Sequence, residues 1–298
     1  MIRQTAIAAL TLAALTLAAL GSATIAGAQD CSTFEGYAHR YIDTPVYNAN
    51  NPHAWVAQVH NVGMDFAIEH KLQGGTVEQG IDAFYAMVGA CGSGTIAQEL
   101  GTLDSSLPYV GSAEEALQIF QGVAGPDAYD MMAGFIQELN VAVDDLENGR
   151  LDYASVQQML ENMENQTAAS SAISQADRDS MLVALAIGRS SFARHLSRNP
   201  FASSSSSSAQ AQIALRKALP RWLKVGLVDL GSGLVGAGMS GGNVLVGIGS
   251  GILGSVKYAD EQAASTNNGG GGTVICPDFR CTSFNALTGE TYRGGGEG

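Results

Sequence analysis

Apolar positions recur every three to four residues along much of residues 29–200, the period of an amphipathic helix. From Ala54 to Leu72 the residues Val56, Val59, Met64, Phe66 and Ile68 keep that spacing, and Gly74-Gly75 ends it. Thr76 is suited to cap a second helix through Ala90. Ser112 and Glu115 fit a capping box that opens a helix to about Val123. Gly125-Pro126 breaks the chain before a longer helix from Asp127 to about Leu146; Asp152 caps another to about Asn165, and Ser174 starts one to about Ser197. No strand-like alternation of any length interrupts this stretch, so 29–200 reads as a helical domain.

The pattern changes after residue 200. Ser203 to Ser208 is six consecutive serines, the centre of a polar linker over 201–212. Ala209 to Lys224 is amphipathic and basic, and Gly226 to Val256 then holds eleven glycines with Asp229 as its only charge. Each glycine lowers helix stability by about 1 kcal/mol relative to alanine, which in water argues against a helix. Spacing argues for one. Small residues fall four apart in Ser232, Gly236 and Ser240, in Gly233, Ala237 and Gly241, in Gly238 and Gly242, and in Gly247, Gly251 and Ser255. Such rows let a second helix approach with backbones nearly touching. Ser240-Gly-Gly-Asn243 is a natural turn, so the spacing predicts helices over about 222–239 and 244–258, paired as an antiparallel hairpin within a unit 213–260. Each arm is shorter than the roughly 20 apolar residues of a comfortable membrane span. As a unit the hairpin is apolar enough to enter a bilayer or to self-associate. The alternatives are a pair buried against the helical domain and an irregular glycine-rich loop.

Residues 261–298 read as a linker around Gly269–Gly272 and a tail whose Thr, Val, Phe and Tyr residues suit a small β-hairpin. The expected fold is all-α: a helical domain, a glycine-rich helical hairpin and a small disulfide-bonded tail. Residues 1–28 have the parts of a cleavable leader, with Arg3, an apolar run from Thr5 to Leu20 and Ala26-Gly27-Ala28 before Gln29. The expected location is therefore periplasmic or secreted. All four cysteines, Cys31, Cys91, Cys276 and Cys281, lie beyond the leader, which reads as two disulfides in an oxidising compartment. Three pairings exist in principle. Cys31–Cys91 with Cys276–Cys281 is preferred because each bridge then closes within one region.

Charge adds to this picture. Removing Arg3 with the leader leaves 14 basic against 28 acidic residues, a balance that excludes general nucleic-acid binding. From Ser180 to Val228 there is no acid, but Arg189, Arg194, Arg198, Arg216, Lys217, Arg221 and Lys224 fall there. A basic stretch before an apolar hairpin suits anionic lipid headgroups, and equally suits docking on the chain's own acidic domain. The candidate residues for membrane contact or self-association are Gly236, Gly238, Gly242, Gly247 and Gly251, with Arg216, Lys217, Arg221 and Lys224. The run Trp222-Leu-Lys-Val-Gly-Leu-Val-Asp229-Leu-Gly after a basic helix, the pair His60-Asn61, and Leu182 to Phe192 before the linker resemble a group of uncharacterised exported bacterial proteins. These motifs are short and cover about a quarter of the chain. The resemblance implies an exported helical protein with a glycine hairpin, and carries over no activity, cofactor or site residue.

Catalytic signatures are thin. His53 and His60, seven apart, share one face of the expected first helix and form the weak candidate site of an exported hydrolase or metal-dependent enzyme. Asp144, Asn148, Gly149, Leu151 and Asp152 match part of a calcium loop, but Leu146 and Ser155 stand where two ligands belong. A helix stop at Gly149 and an N-cap at Asp152 explain the same residues. Asn165-Gln-Thr167 fits a glycosylation sequon. No serine-nucleophile or phosphate-loop pattern is complete, and no cofactor is expected. The leading expectation is a non-enzymatic interaction protein acting through the hairpin on a membrane surface or on a second copy.

Overall fold

The computed structural model describes residues 48–91, 107–108, 110–197 and 209–267, together with the pairs 284–285 and 290–291. The expected leader, the serine run, Gly269–Gly272, and Cys31, Cys276 and Cys281 lie outside the described residues. Among those described, the body is helical: α1 Val56–Leu72, α2 Val77–Cys91, α3 Ala113–Gln121, α4 Pro126–Glu147, α5 Tyr153–Ala169, α6 Gln175–Ser197, α7 Ala209–Met239 and α8 Val244–Asn267. In the tail, Phe284–Asn285 (β1) and Glu290–Thr291 (β2) pair antiparallel.

Local chemistry sets most helix ends. Thr76 Oγ1 accepts from the Gln79 amide, and the Gln79 side chain accepts from the Thr76 amide, closing a capping box. Ser112 and Asp152 accept from the amides of Glu115 and Ser155 in the same way. Pro126 occupies the first turn of α4, where its missing N–H leaves no bond unmade. Gly149, with φ +67°, follows the end of α4, so the calcium-like residues are a stop and a cap.

The basic segment and the first expected arm form one helix. α7 begins at Ala209 and passes through Pro220, which removes one ladder bond without ending the helix. Good helix formers flank it, and from Leu219 onward the helix is packed against α6 and α8. The turn to α8 uses Gly241 and Gly242 at φ +72° and +94°, a region where side chains are strained. Asn243 Oδ1 then caps α8 by accepting from the Leu245 amide at 3.0 Å.

The core lies in two halves that meet at α6. One is built by Phe120, Met132, Phe135, Leu139, Leu160 and Phe192 with Trp222, Leu227 and Leu230 of α7. The other joins Val56, Ile81 and Phe84 to Ile187 of α6 and to Ile248, Ile252 and Val256 of α8. From Gly226 to Ala237, and again from Gly247 to Val256, every residue is buried. These stretches can be buried on all sides because glycine lets backbones meet. A Cβ on Gly188 of α6 would lie 3.0 Å from the Gly226 carbonyl oxygen of α7, and one on Gly226 the same distance from the Gly188 carbonyl oxygen. A Cβ on Gly247 would lie 3.2 Å from the Gly233 carbonyl oxygen.

Gly134 of α4 is the contrast, since nothing lies within 4 Å of a Cβ placed there. Gly134→Ala is expected to stabilise the fold by about 1 kcal/mol through helix propensity alone. Urea unfolding checks it, and a loss of stability would mean that α4 is crowded on that side.

Candidate functional site

Four helices converge on a cluster of polar side chains that the surrounding apolar residues seal from water. His60, Asn61 and Asp65 come from α1, Ser191 and Arg194 from α6, Asp229 from α7 and Ser255 from α8, and all are buried. His60 and Asp65 share this region because α1 turns their side of the helix towards α6 and α8, while Val56, Ala67 and Ile68 fill the apolar contacts around them. Arg194 Nη2 meets Asp65 Oδ1 at 2.7 Å, an ion pair with 1% and 2% of its side chains exposed. His60 Nε2 lies 4.0 Å from Asp229 Oδ2, and neither side chain has any exposed surface.

The electrostatics follow from this burial. Desolvation, then the positive charge of Arg194, brings the His60 imidazole down to about 4, against weaker support from Asn61 and the Gly251 backbone. Desolvation lifts the Asp229 carboxyl to about 7, opposed by the Ser191 and Ser255 hydroxyls and by Arg194. Those hydroxyls face the carboxylate without closing a hydrogen bond, since both Asp229 oxygens and His60 Nε2 are without a partner. With no route for solvent to the pair, this conformation offers the imidazole and the carboxyl to each other and not to a substrate.

The structure separates the two histidines that the sequence groups together. α1 starts at Val56, so His53 lies in the turn before it, held by the Asn51 side chain accepting from its amide at 2.8 Å. His53 Nε2 reaches Asp179 of α6 at 2.9 Å near the surface, while His60 faces Asp229 in the core. They are not on one helical face, because the Asn51-Pro52 turn delays the helix beyond His53. Among the described residues no group of three or more His, Cys, Asp or Glu is arranged to hold a metal ion.

A second buried network clasps the chain ahead of α1 to the α5–α6 pair. Asn48 and Asn51 donate to Glu164 at 2.9 and 3.1 Å, and Arg189 Nη1 reaches the same carboxylate at 2.8 Å. Burial raises the Glu164 carboxyl, against the opposing pull of Arg189 and the two asparagines. Asn165 of the sequon accepts from Asn48 and Asn50.

The five glycines named as candidates for membrane contact or self-association each pack against their own chain, whereas Gly241 has nothing within 4 Å of a Cβ. Gly236 abuts Ser250, Gly247 abuts Val183, Ala237 and Gly233, and Gly251 lies against Ile187 and the His60 ring. Gly238 meets Phe120, and Gly242 meets Ala176. Of the basic residues, Arg189 and Arg194 are consumed in the internal pairs, Lys224 meets Glu147 of α4 at 3.0 Å, and Arg221 is exposed. Arg216 and Lys217 fall in the N-terminal part of α7. Sequence reasoning missed the partnership of Asp229, Arg194 and Asp65. Its one available signal was a lone acid inside an apolar helix, which requires a partner wherever that helix is buried. Comparisons with protein-family models, curated proteins and solved structures return no match.

Proposed function

We propose that this is an exported, non-enzymatic interaction protein that keeps its glycine-rich hairpin sheathed in the folded form and makes membrane contact with it once the sheath opens. The observation that carries this reading is the enclosure of an apolar helix pair by helices whose outer faces are polar. α3 shows the type, with Ala113, Ala116 and Phe120 turned inward and Glu114 and Glu115 outward. Such helices can lie on a bilayer surface with the same apolar faces they now turn to the hairpin. The composition also supports it, because the segment 209–267 sits between a serine run and a glycine run and can leave the bundle as one tethered piece. Among the described residues no helix is long and apolar enough to cross a membrane, so the contact is entry of the hairpin as a unit. Export rests on the leader features of residues 1–28. Exchange of the hairpin between two copies is the second reading, favoured by the same pair of linkers.

The test is flotation of residues 29–298 with anionic and neutral vesicles, beside a locked variant. Ala116→Cys with Gly231→Cys suits the lock, because a Cβ on Gly231 would lie 3.0 Å from the Ala116 Cβ, so that α3 and α7 need part by only about 0.5 Å to reach disulfide geometry. The expected result is that the unlocked protein floats with anionic vesicles and the oxidised lock stays in the aqueous fraction. Equal flotation of both, or of neither, would reject membrane contact by the hairpin. A concentration-dependent rise in mass that the lock abolishes, without flotation, would select hairpin exchange instead.

A further inference from the structure

Two ionisable pairs share the sealed volume between α1, α6, α7 and α8. Arg194 and Asp65 are in contact as an ion pair of opposite charges, and Arg194 also acts at longer range on His60 and Asp229. His60 and Asp229 remain, with no exposed side-chain surface and no hydrogen bond to His60 Nε2 or to either Asp229 oxygen. The groups facing them are Asn61 and Asp65 of α1, Ser191 and Arg194 of α6, and Ser255 and the Gly251 backbone of α8. Lys257 of α8 turns outward to Glu78 of α2. An unmatched charge in such a place is strongly disfavoured, so the pair must be neutral as a whole. Neutrality requires one proton for two groups.

We infer that His60 and Asp229 hold a single proton in common, and that it rests on Asp229 as an uncharged carboxylic acid facing a neutral imidazole. At 4.0 Å, without a hydrogen bond between them, separated charges would lack both contact and solvation, a larger cost than leaving a neutral acid and a neutral imidazole unpaired. Desolvation acts on both groups in this direction, taking His60 down to about 4 and Asp229 up to about 7. That order is the reverse of the unfolded chain, where histidine keeps its proton to about pH 6.5 and aspartate releases its own near 3.9.

This arrangement has a consequence for stability. Between about pH 4 and 6.5 the unfolded chain carries one proton on the histidine and the folded chain carries one on the aspartate. Folding then moves a proton between the two groups and neither takes up nor releases one. The pair adds no slope to stability against pH, although each member alone would. His60, lowered on folding, contributes stability present above about pH 6.5 and lost as pH falls towards 4. Asp229, raised on folding, contributes stability present below about pH 4 and lost as pH rises towards 7. The two slopes cancel. Docking of the hairpin is thereby insulated from acidity, and 226–256, whose only charged residue type is Asp229, is electrically neutral in the folded state.

Denaturant unfolding of the wild type, Asp229→Asn and His60→Gln across pH 4 to 7 tests this. Relative to wild type, the folding constant of D229N should fall by about two powers of ten as pH drops from 7 to 4. That of H60Q should fall by about as much as pH rises from 4 to 7. Any packing cost shifts a variant equally at every pH and leaves its slope. Parallel or flat profiles for both variants would overturn the proposal. Should either variant fail to fold, infrared and NMR spectra of the wild type at a pH of about 5.5 decide it. A buried carboxylic-acid carbonyl band that persists in Glu164→Gln, with a neutral His60 ring, supports the inference, and a protonated ring without that band overturns it. These readouts do not depend on whether the hairpin meets membranes.

Discussion

Arg194→Met is expected to destabilise the protein by about 3–5 kcal/mol, because it takes a positive charge in direct contact away from the Asp65 carboxylate in a volume sealed from water. Arg194 is 1% exposed and lies 2.7 Å from Asp65 across the α1–α6 contact. The size of the loss measures the cost of the buried Asp65 charge without this neighbour more than the value of the ion pair, and a second variant separates the two. Arg194→Met combined with Asp65→Leu removes both charges and is expected to recover most of the loss, since apolar replacements of a buried pair are often neutral or stabilising. Urea unfolding of the two single variants and the double variant closes the cycle. A double variant as unstable as R194M alone would mean that Arg194 acts through packing and not through its charge. R194M also removes the positive neighbour that helps hold the His60 imidazole down, so its histidine should titrate higher than in the wild type.

Gly236→Val is expected to cost about 3 kcal/mol, lowering Tm by roughly 5–10 °C. A Cβ at this position lies 2.7 Å from Ser250 Cβ and 2.7 Å from the Val246 carbonyl oxygen, so the clash is with backbone as well as side chain. α8 cannot retreat, because its other faces meet α1, α2 and α6. The gain in helix propensity over glycine, about 0.5 kcal/mol, runs the other way and is too small to offset the clash. Gly236→Ala combined with Ser250→Gly transfers the volume across the seam and is expected to lie closer to wild type than Gly236→Ala alone. Thermal unfolding followed by circular dichroism checks the series. A Gly236→Val protein as stable as the wild type would show that the α7–α8 seam can open at no cost.

Much of the helical body was legible in the sequence. Thr76, Ser112, Asp152 and Ser174 announced helix starts, and their side chains accept from amides in the first turn. These signals are readable because a cap and its amide lie three residues apart, within any local window. The start of α1 was misread, and with it the grouping of His53 with His60, because the turn at Asn51-Pro52 is fixed by Asn51 and Asn48 reaching Glu164 more than 110 residues away. The join of the basic segment to the first arm was missed for a similar reason. Pro220 is a local breaker signal, and packing along α7 overrides it.

By itself the sequence determined the elements: helical period, caps, the two glycines and the asparagine of the Ser240–Asn243 turn, and small residues spaced four apart. Only the tertiary structure decided which surfaces those elements meet. It set the glycine rows of α7 and α8 against each other, turned Arg189, Arg194 and Lys224 to acids of other helices, and set Asp229 beside His60. Local conformation depends on neighbours within a few residues, and so any short window carries it. Partnership depends on which helices bury which faces together. For Arg194 and Asp65 that joins residues 129 positions apart, a separation over which side-chain periodicity carries no information.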